Sequence, residues 1–344
     1  MSEIDLRFWK YVDNGDVNNA KQIYESNQAG INVNWTNPGH MGATSLMRAA
    51  WNEDVEMVSW LLDATNADVK QRNDHGSSVL HYSAYNKDDN ITQLLLDRGA
   101  DPAVKNNDES SALIYASVRG SIKVVQLLAQ YSKMYINHKD KKGNTALISS
   151  TYQNNGQITE TLLNYGAGIQ ESGRDGEHIL TRAARNGNDQ VVSVLLNRLH
   201  GDSELDACAG EALIVASKLG RDKVVRVLLD FGVNVESKNL EGENALLLAT
   251  RNVFTQVISV LLEYGANPEV KYWFGETPLH MVVKIPSAEQ IMRNFLAHGA
   301  NVYSKTPDGD ACLMLATRQK FDSKVESLLQ KESELAVFHL IAFT

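Results

Sequence analysis

The stretch "GETPLHM" at residues 275–281 decides the fold, because it is one copy of a pattern that recurs along the chain. The other copies are "GATSLMR" (42–48), "GSSVLHY" (76–82), "ESSALIY" (109–115), "GNTALIS" (143–149), "GEHILTR" (176–182), "GEALIVA" in a shifted frame (210–216), "GENALLL" (242–248) and "GDACLML" (309–315). They share a registered leucine: Leu46, Leu80, Leu113, Leu147, Leu180, Leu213, Leu246, Leu279 and Leu313. Successive leucines are 33 or 34 residues apart. A period of this length, kept over nine copies, predicts a repeat protein.

Each repeat has the composition of two short helices. A helix of small residues follows the leucine, as in "LTRAARNG" (180–187), and a Gly or Asn then interrupts the chain. Apolar residues return at helical spacing, as in Val191, Val192, Leu195 and Leu196. The second helix ends at a Gly-Ala-Asp/Asn motif, such as "RGADP" (98–102). One such pair exposes an apolar face that only a neighbouring repeat can cover.

These units resemble the ankyrin repeat. The resemblance is carried by "GETPLHM" with "LAHGANV" (296–302), and by "SVLHYSA" (78–84) with "LLLDRGADP" (94–102). It extends over residues 36–331 and implies about ten stacked units, counting the divergent first one. The fold that the resemblance implies is an all-α repeat solenoid, with ankyrin-type helix pairs and projecting β-hairpin fingers.

The chain is expected to divide into three parts. Residues 1–35 are predicted to be an N-terminal capping repeat, in which Phe8 takes the place of the leucine. Residues 36–331 are predicted to hold nine repeats, and residues 332–344 a C-terminal capping helix. Within the array, Lys284, Ile285 and Pro286 replace the usual glycine between the two helices, so we expect a reshaped loop there.

Composition narrows the classes of function. The net charge is −9, from 33 basic and 42 acidic residues, which argues against a nucleic-acid partner. The two cysteines, Cys208 and Cys312, have no metal-site spacing and suit a reducing compartment. The start lacks the pattern of a signal peptide, and no apolar run is long enough to span a membrane. We therefore expect a monomeric cytoplasmic protein with no membrane insertion, and a nuclear location stays open.

His280 in "GETPLHM" is predicted to be structural, although a histidine could be a catalytic base or a metal ligand. At its position the other repeats carry Met47, His81, Ile114, Ile148, Thr181, Ile214, Leu247 and Met314. The resemblance implies that the Thr and His of this motif form local hydrogen bonds that hold the finger to the helix. The sequence also contains no P-loop, GxGxxG, HExxH or GxSxG motif. We expect no enzymatic activity, no cofactor and no metal.

The variable positions predict the binding surface. In ankyrin-like arrays the concave surface is built from the fingertips and the exposed side of the first helix, with a key position five residues after the leucine. Here that position is first aromatic or apolar (the aromatic series Trp51, Tyr85, Val118 and Tyr152) and then cationic (the basic series Arg185, Lys218, Arg251, Lys284 and Arg318). Trp273 and Phe274 form an aromatic pair in one finger. All of these residues except Val118 are predicted to contact a partner. For the aromatic residues the reason is that exposed aromatic groups tend to mark contact sites.

Two questions stay open at this point. Finger carboxylates such as Glu243, Glu276 and Asp310 could neutralise the basic series internally, so the predicted preference for a partner with an acidic segment is conditional. The function is predicted to be that of a scaffold or adaptor that binds a protein or peptide in its concave groove. The alternative is a regulatory or inhibitory subunit that blocks or positions an enzyme.

Overall fold

The computed structural model describes residues 2–170, 173, 176–200, 205–272 and 275–342. Within these residues the chain forms twenty α-helices and one 3-10 helix, Pro38–His40, and its β-structure is limited to isolated bridges. It divides into two compact units, Met1–Ile179 (unit 1) and Leu180–Thr344 (unit 2). The expectation of an all-α repeat fold is confirmed; where β-hairpin fingers were expected, the described residues form isolated antiparallel bridges such as Asn37–Ala43 and Arg72–Ser78.

Unit 1 contains two layers of helices. Its helices are α1 (Glu3–Asp13), α2 (Val17–Ser26), α3 (Ser45–Trp51), α4 (Val55–Ala64), α5 (Val79–Asn86), α6 (Asp89–Asp97), α7 (Ala112–Arg119), α8 (Ile122–Tyr131), α9 (Ala146–Ser150) and α10 (Gly156–Asn164). The first helices α1, α3, α5, α7 and α9 pack in sequence, and α4, α6, α8 and α10 form the second layer.

Unit 2 repeats this arrangement. Its helices are α11 (Ile179–Asn186, which begins at the last residue of unit 1), α12 (Asp189–Leu199), α13 (Leu205–Lys218), α14 (Asp222–Asp230), α15 (Ala245–Arg251), α16 (Thr255–Glu263), α17 (Pro278–Val283), α18 (Glu289–Ala297), α19 (Cys312–Arg318) and α20 (Asp322–Ala342). One layer contains α13, α15, α17 and α19, and the other contains α12, α14, α16, α18 and α20. No helix in the described part of the chain is both long and apolar enough to cross a membrane.

The registered leucines form the core that the period predicts. All are buried except Leu313, which is half-buried. Small residues four positions further on, such as Ala50, Ala84 and Ala184, are buried as well and allow the helices to approach closely. Burying one Leu or Val side chain contributes roughly 1.5–3 kcal/mol, so these contacts between repeats are the main source of stability.

In several repeats the residue two positions before the leucine caps the start of the first helix. Thr44, Ser111, Thr145 and Asn244 each accept a backbone N–H from the first turn of their helix, at 3.0–3.4 Å. These short polar side chains are the preferred N-caps because they satisfy a donor that has no partner within the helix.

Histidine strengthens this cap in two repeats. His280 is buried; its Nδ1 accepts the backbone N–H of Thr277 at 3.3 Å, and its Nε2 donates to the carbonyl of Ser304 in the next finger at 2.9 Å. His81 makes the same contacts with Ser78 and Ser110, at 3.1 and 2.9 Å. The prediction that the histidine holds the finger to the helix is confirmed.

Two features of unit 2 depart from the regular repeat. The helix α13 has 14 residues, whereas the other helices that carry a registered leucine have five to eight. Glu211 stands at the N-cap position, and since Glu favours helix interiors over caps, the helix continues through the segment that forms a finger elsewhere. At the other end of the unit, residues 332–342 continue α20 instead of starting a separate helix. The division into caps and nine repeats stays a prediction.

The loop after α17 is reshaped, as the residues Lys284, Ile285 and Pro286 predict. The side chain of Lys324 from α20 is only 1% exposed, and its Nζ donates to the carbonyls of Val282 at 3.1 Å, Val283 at 3.2 Å and Ile285. An ammonium group therefore adds to the backbone N–H groups that cap the carbonyl end of α17. Burial lowers the pKa of Lys324.

Candidate protein-binding surface

The aromatic series lies on the surface of unit 1. Trp51, Tyr85, Val118 and Tyr152 are 40, 36, 37 and 51% exposed. Trp51 and Tyr85 stack with their ring centres 5.4 Å apart and an interplanar angle of 22°. The guanidinium of Arg119 covers the Tyr85 ring at 4.3 Å, so Tyr85 is held between an indole and a cation.

An open cleft of about 570 Å³ joins most of this series, and we name it the unit 1 cleft. Tyr85, Val118 and Tyr152 line it from the helical side, and residues of two fingers, among them Asp108 and Lys142, line it from the other. Its size falls in the range of roughly 300–1,000 Å³ that is typical of ligand pockets.

Two further tyrosines that were not predicted support this surface. Tyr82 packs edge-on against Trp51 at 5.9 Å, and Tyr115 lines the unit 1 cleft. Their hydroxyls accept hydrogen bonds from Asn73 and Asn106 at 2.9 and 3.1 Å. Burial raises the pKa of both tyrosines. Their position, three residues before the members of the aromatic series on the same helix, could have identified them, because residues three apart share a helix face.

The basic series in unit 2 is largely paired within the chain. Arg251 pairs with Glu243, Lys284 with Glu276 at 2.5 Å, and Arg318 with Asp310. Each carboxylate lies eight residues before its cation. The alternative in which finger carboxylates neutralise these cations therefore describes three of the five members.

The other two members of the basic series differ. Arg185 lies in α11 and is already engaged in an interaction within the chain. Lys218 is exposed, and eight residues before it stands Gly210, which has no carboxylate to offer. No carboxylate of the described residues forms an ion pair with Lys218. The predicted contacts Trp273 and Phe274 lie outside the described residues.

The charged side chains that line the unit 1 cleft differ in the bonds they already form within the chain. The carboxylate of Asp140 accepts the backbone N–H groups of Lys142 and Asn144 at 2.9 and 2.8 Å, so it serves to hold its own finger turn. The side chains of Arg119 and Lys142 line the same cleft. The described residues contain no group of three or more His, Cys, Asp or Glu side chains that could hold a metal ion.

Comparison with known proteins identifies the family. The family model for ankyrin repeats, which spans three copies, matches residues 9–106, 80–173, 113–207 and 180–272. These ranges together cover more than half of the chain, so the protein belongs to the ankyrin-repeat family. Repeats of this family are protein–protein interaction modules. No curated protein sequence matches the chain.

One solved structure gives a likeness in fold. It is the Bd0816 predatory endopeptidase from Bdellovibrio bacteriovorus in complex with the immunity protein Bd3460. One of its chains is similar to this one with 21% sequence identity and a TM-score of 0.50, over 57% of this chain and 98% of that chain. At this level of identity the likeness concerns the fold alone.

Proposed function

We propose that this protein is a non-catalytic recognition scaffold that binds a partner protein or peptide through the unit 1 cleft and the aromatic series beside it. The observation that carries the proposal is the continuous exposed surface formed by Trp51, Tyr85, Val118 and Tyr152. Contiguous exposed apolar surface is uncommon on proteins that bind nothing, and Trp and Tyr dominate the binding energy of many interfaces.

The aromatic series is preorganised for binding. Trp51, Tyr85 and Arg119 already lie against one another, so a partner does not have to order these side chains. Ordering a mobile side chain on binding costs about 0.5–1.5 kcal/mol. Most of the interaction free energy of a rigid surface is therefore available as affinity.

The partner segment is proposed to combine an apolar or aromatic side chain with acidic residues. The cleft would bury the apolar group, and it is lined by three cations, Arg119, Lys141 and Lys142, against two carboxylates, Asp108 and Asp140. Asp140 opposes this preference little, since its carboxylate already binds two backbone N–H groups of its own finger. Complementary charge at the rim would act mainly on the association rate.

Affinity capture from cells that make the protein, followed by mass spectrometry, tests this proposal. The bait is the full chain as wild type, as the double variant Trp51→Ala/Tyr85→Ala, and as Tyr131→Ala. Tyr131 is a matched control because it is as exposed as Tyr152, at 51%, but does not line the cleft. We expect a protein that wild type and Tyr131→Ala retain and that the double variant loses. Equal recovery with all three baits would contradict the proposal.

The alternative role, inhibition or positioning of an enzyme, would use the same surface. If the captured partner is an enzyme, its activity with and without the full chain separates the two roles. An adaptor leaves the turnover of the enzyme unchanged, whereas an inhibitor lowers it in proportion to occupancy.

A further inference from the structure

A second cleft lies in unit 2, where α13 departs from the repeat pattern, and we name it the α13 cleft. Its volume is about 690 Å³. One wall is a face of α13 formed by Ala207, Gly210, Ile214 and Lys218, which are three or four residues apart. The other wall is the finger at residues 237–241. It shares no lining residue with the unit 1 cleft.

The extended helix accounts for this cleft. Elsewhere a finger precedes the registered leucine, but here residues 205–211 belong to α13. Gly210 lets the finger come close, since a Cβ at this position would lie 3.0 Å from Ser237 Oγ. The face of α13 from Ala207 to Lys218 runs for about 16 Å at 1.5 Å per residue, which matches about five residues of extended chain.

The α13 cleft presents an apolar anchor point. Leu240 at the fingertip is fully exposed, and Val215 and Leu248 line the cleft. A leucine that projects from a finger has no core of its own to enter, whereas a partner's apolar side chain packed against Leu240 would remove it from water. Ile214, which also lines the cleft, is already buried.

The charge of the cleft favours an acidic partner residue. Gly210 occupies the position from which a finger carboxylate neutralises the equivalent cations Arg251, Lys284 and Arg318. Lys218 keeps its charge without an ion-pair partner among the described residues, and Lys238, also exposed, lines the same cleft. Of the two carboxylates there, Glu241 is already engaged within the chain and Glu211 on α13 is exposed, so the two lysines face one carboxylate that is not so engaged.

We propose that the α13 cleft is a docking site for an extended segment of a partner protein that carries an apolar side chain and a carboxylate within about five residues. The apolar side chain packs against Leu240, and the carboxylate pairs with Lys218. The partner's carboxylate thus takes the place that a finger carboxylate holds in the neighbouring repeats.

A random-peptide display library tests this site with the full chain as bait. The baits are wild type, Lys218→Glu, Lys218→Arg, Leu240→Ser and the control Lys223→Glu, which reverses an exposed lysine on α14 outside the cleft. Lys218 and Leu240 are both exposed, so these substitutions leave the core intact, and a circular-dichroism melt of each bait verifies this.

The expected result is a set of peptides that share an apolar and an acidic residue. They bind wild type, Lys218→Arg and Lys223→Glu alike, and bind Lys218→Glu and Leu240→Ser about fivefold or more weakly. Recovery of no peptide that depends on Lys218 would overturn the proposal, and so would Lys218-dependent peptides without an acidic residue. A concentration-dependent dimer that Leu240→Ser abolishes, seen by sedimentation, would overturn it in favour of a second copy of the chain.

Discussion

The two units have the same helical arrangement but differ in what they place five residues after the registered leucine. In unit 1 this position is aromatic or apolar, and the finger residue eight positions earlier is neutral: Ala43, Ser77, Ser110 and Asn144. In unit 2 the position is cationic, and the residue eight positions earlier is a carboxylate in four of the five repeats: Glu177, Glu243, Glu276 and Asp310. The last three form ion pairs with their cations. The same geometry therefore yields an exposed aromatic surface in one unit and internal ion pairs in the other.

This difference shows how a repeat protein can confine recognition to part of its surface. A cation that is paired with its own finger is a poor contact for a partner, because the existing pair must first be broken. An exposed aromatic ring has no such competitor. Where the pairing is absent, at Lys218, unit 2 also contains a cleft. Basic side chains in unit 2 thus act mainly within the structure, which can be tested by removing them one at a time.

Lys324→Met should have the largest effect on stability. The substitution removes the ammonium donor from the carbonyls of Val282, Val283 and Ile285; the carbonyls of Val282 and Ile285 keep the backbone N–H groups of Ile285 and Ala288. Hydrogen bonds from a charged group typically contribute about 1.5–3 kcal/mol, so we expect a loss of about 2–3 kcal/mol in the free energy of unfolding. Urea unfolding measures this, with exposed Lys223→Met as the control. Equal or higher stability of Lys324→Met would mean that the cost of burying the ammonium exceeds the gain from capping.

Arg251→Ala should have the next largest effect. Glu243 is only 6% exposed, and without Arg251 its carboxylate stays in that environment without a cation. Since Arg251 itself is about half exposed, we expect a loss of about 1–2 kcal/mol, below the value for a fully buried pair. Lys218→Ala in the same helical position should change stability by less than about 0.5 kcal/mol. Similar losses in both variants would remove the distinction between paired and unpaired members of the basic series.

The two buried histidines should make stability depend on pH. Burial lowers the pKa of His81 and of His280 below the ordinary value of 6.5. Between the folded-state pKa of each histidine and about pH 6.5, the unfolded chain binds more protons than the folded one. The contribution of the histidines to stability is therefore full above about pH 6.5 and is lost as the pH falls through their folded-state pKa values.

The pH dependence of stability that comes from His81 in unit 1 should be larger than that from His280 in unit 2. The charge of Arg72 lowers the pKa of His81 further, whereas at His280 Glu276 and Glu269 raise the pKa and outweigh the lowering by Lys284. His81→Gln should therefore remove more of the pH dependence of urea unfolding between about pH 5 and 7 than His280→Gln does. The reverse order would show that these neighbouring charges do not control the two sites.

Lys284→Ala should have the smallest effect. Its pair with Glu276 is partly exposed, and such pairs contribute about 0.2–1 kcal/mol. Salt screens an exposed pair, so the difference between Lys284→Ala and wild type should shrink as sodium chloride is added. A difference that is large and independent of salt would indicate packing by the lysine stem instead.

The sequence predicted the features that depend on local pattern. The registered leucines predicted the buried core. The short polar residues two positions earlier, whose capping role was not predicted, mark the helix starts in several repeats. The replacement of a finger by α13 was missed, although Glu211 at an N-cap position was a local sign of it. The cap that Lys324 provides for α17 was not predictable, because it joins residues 39–42 positions apart through helix packing. The ion pairs were an alternative that the sequence left open, and the eight-residue spacing of each pair could have favoured it.

The dissociation constant of the captured partner, compared between variants of the two units, tests the central claim most directly. Isothermal titration calorimetry would compare wild type with Trp51→Ala/Tyr85→Ala in unit 1 and with Lys284→Ala in unit 2. Truncating aromatic anchors commonly costs about 2 kcal/mol or more, so we predict about tenfold or greater weakening for the unit 1 variant, with a melting temperature close to that of wild type. Lys284→Ala should leave the constant nearly unchanged. If the unit 2 variant weakens binding more than the folded unit 1 variant does, the aromatic series is not the principal binding surface.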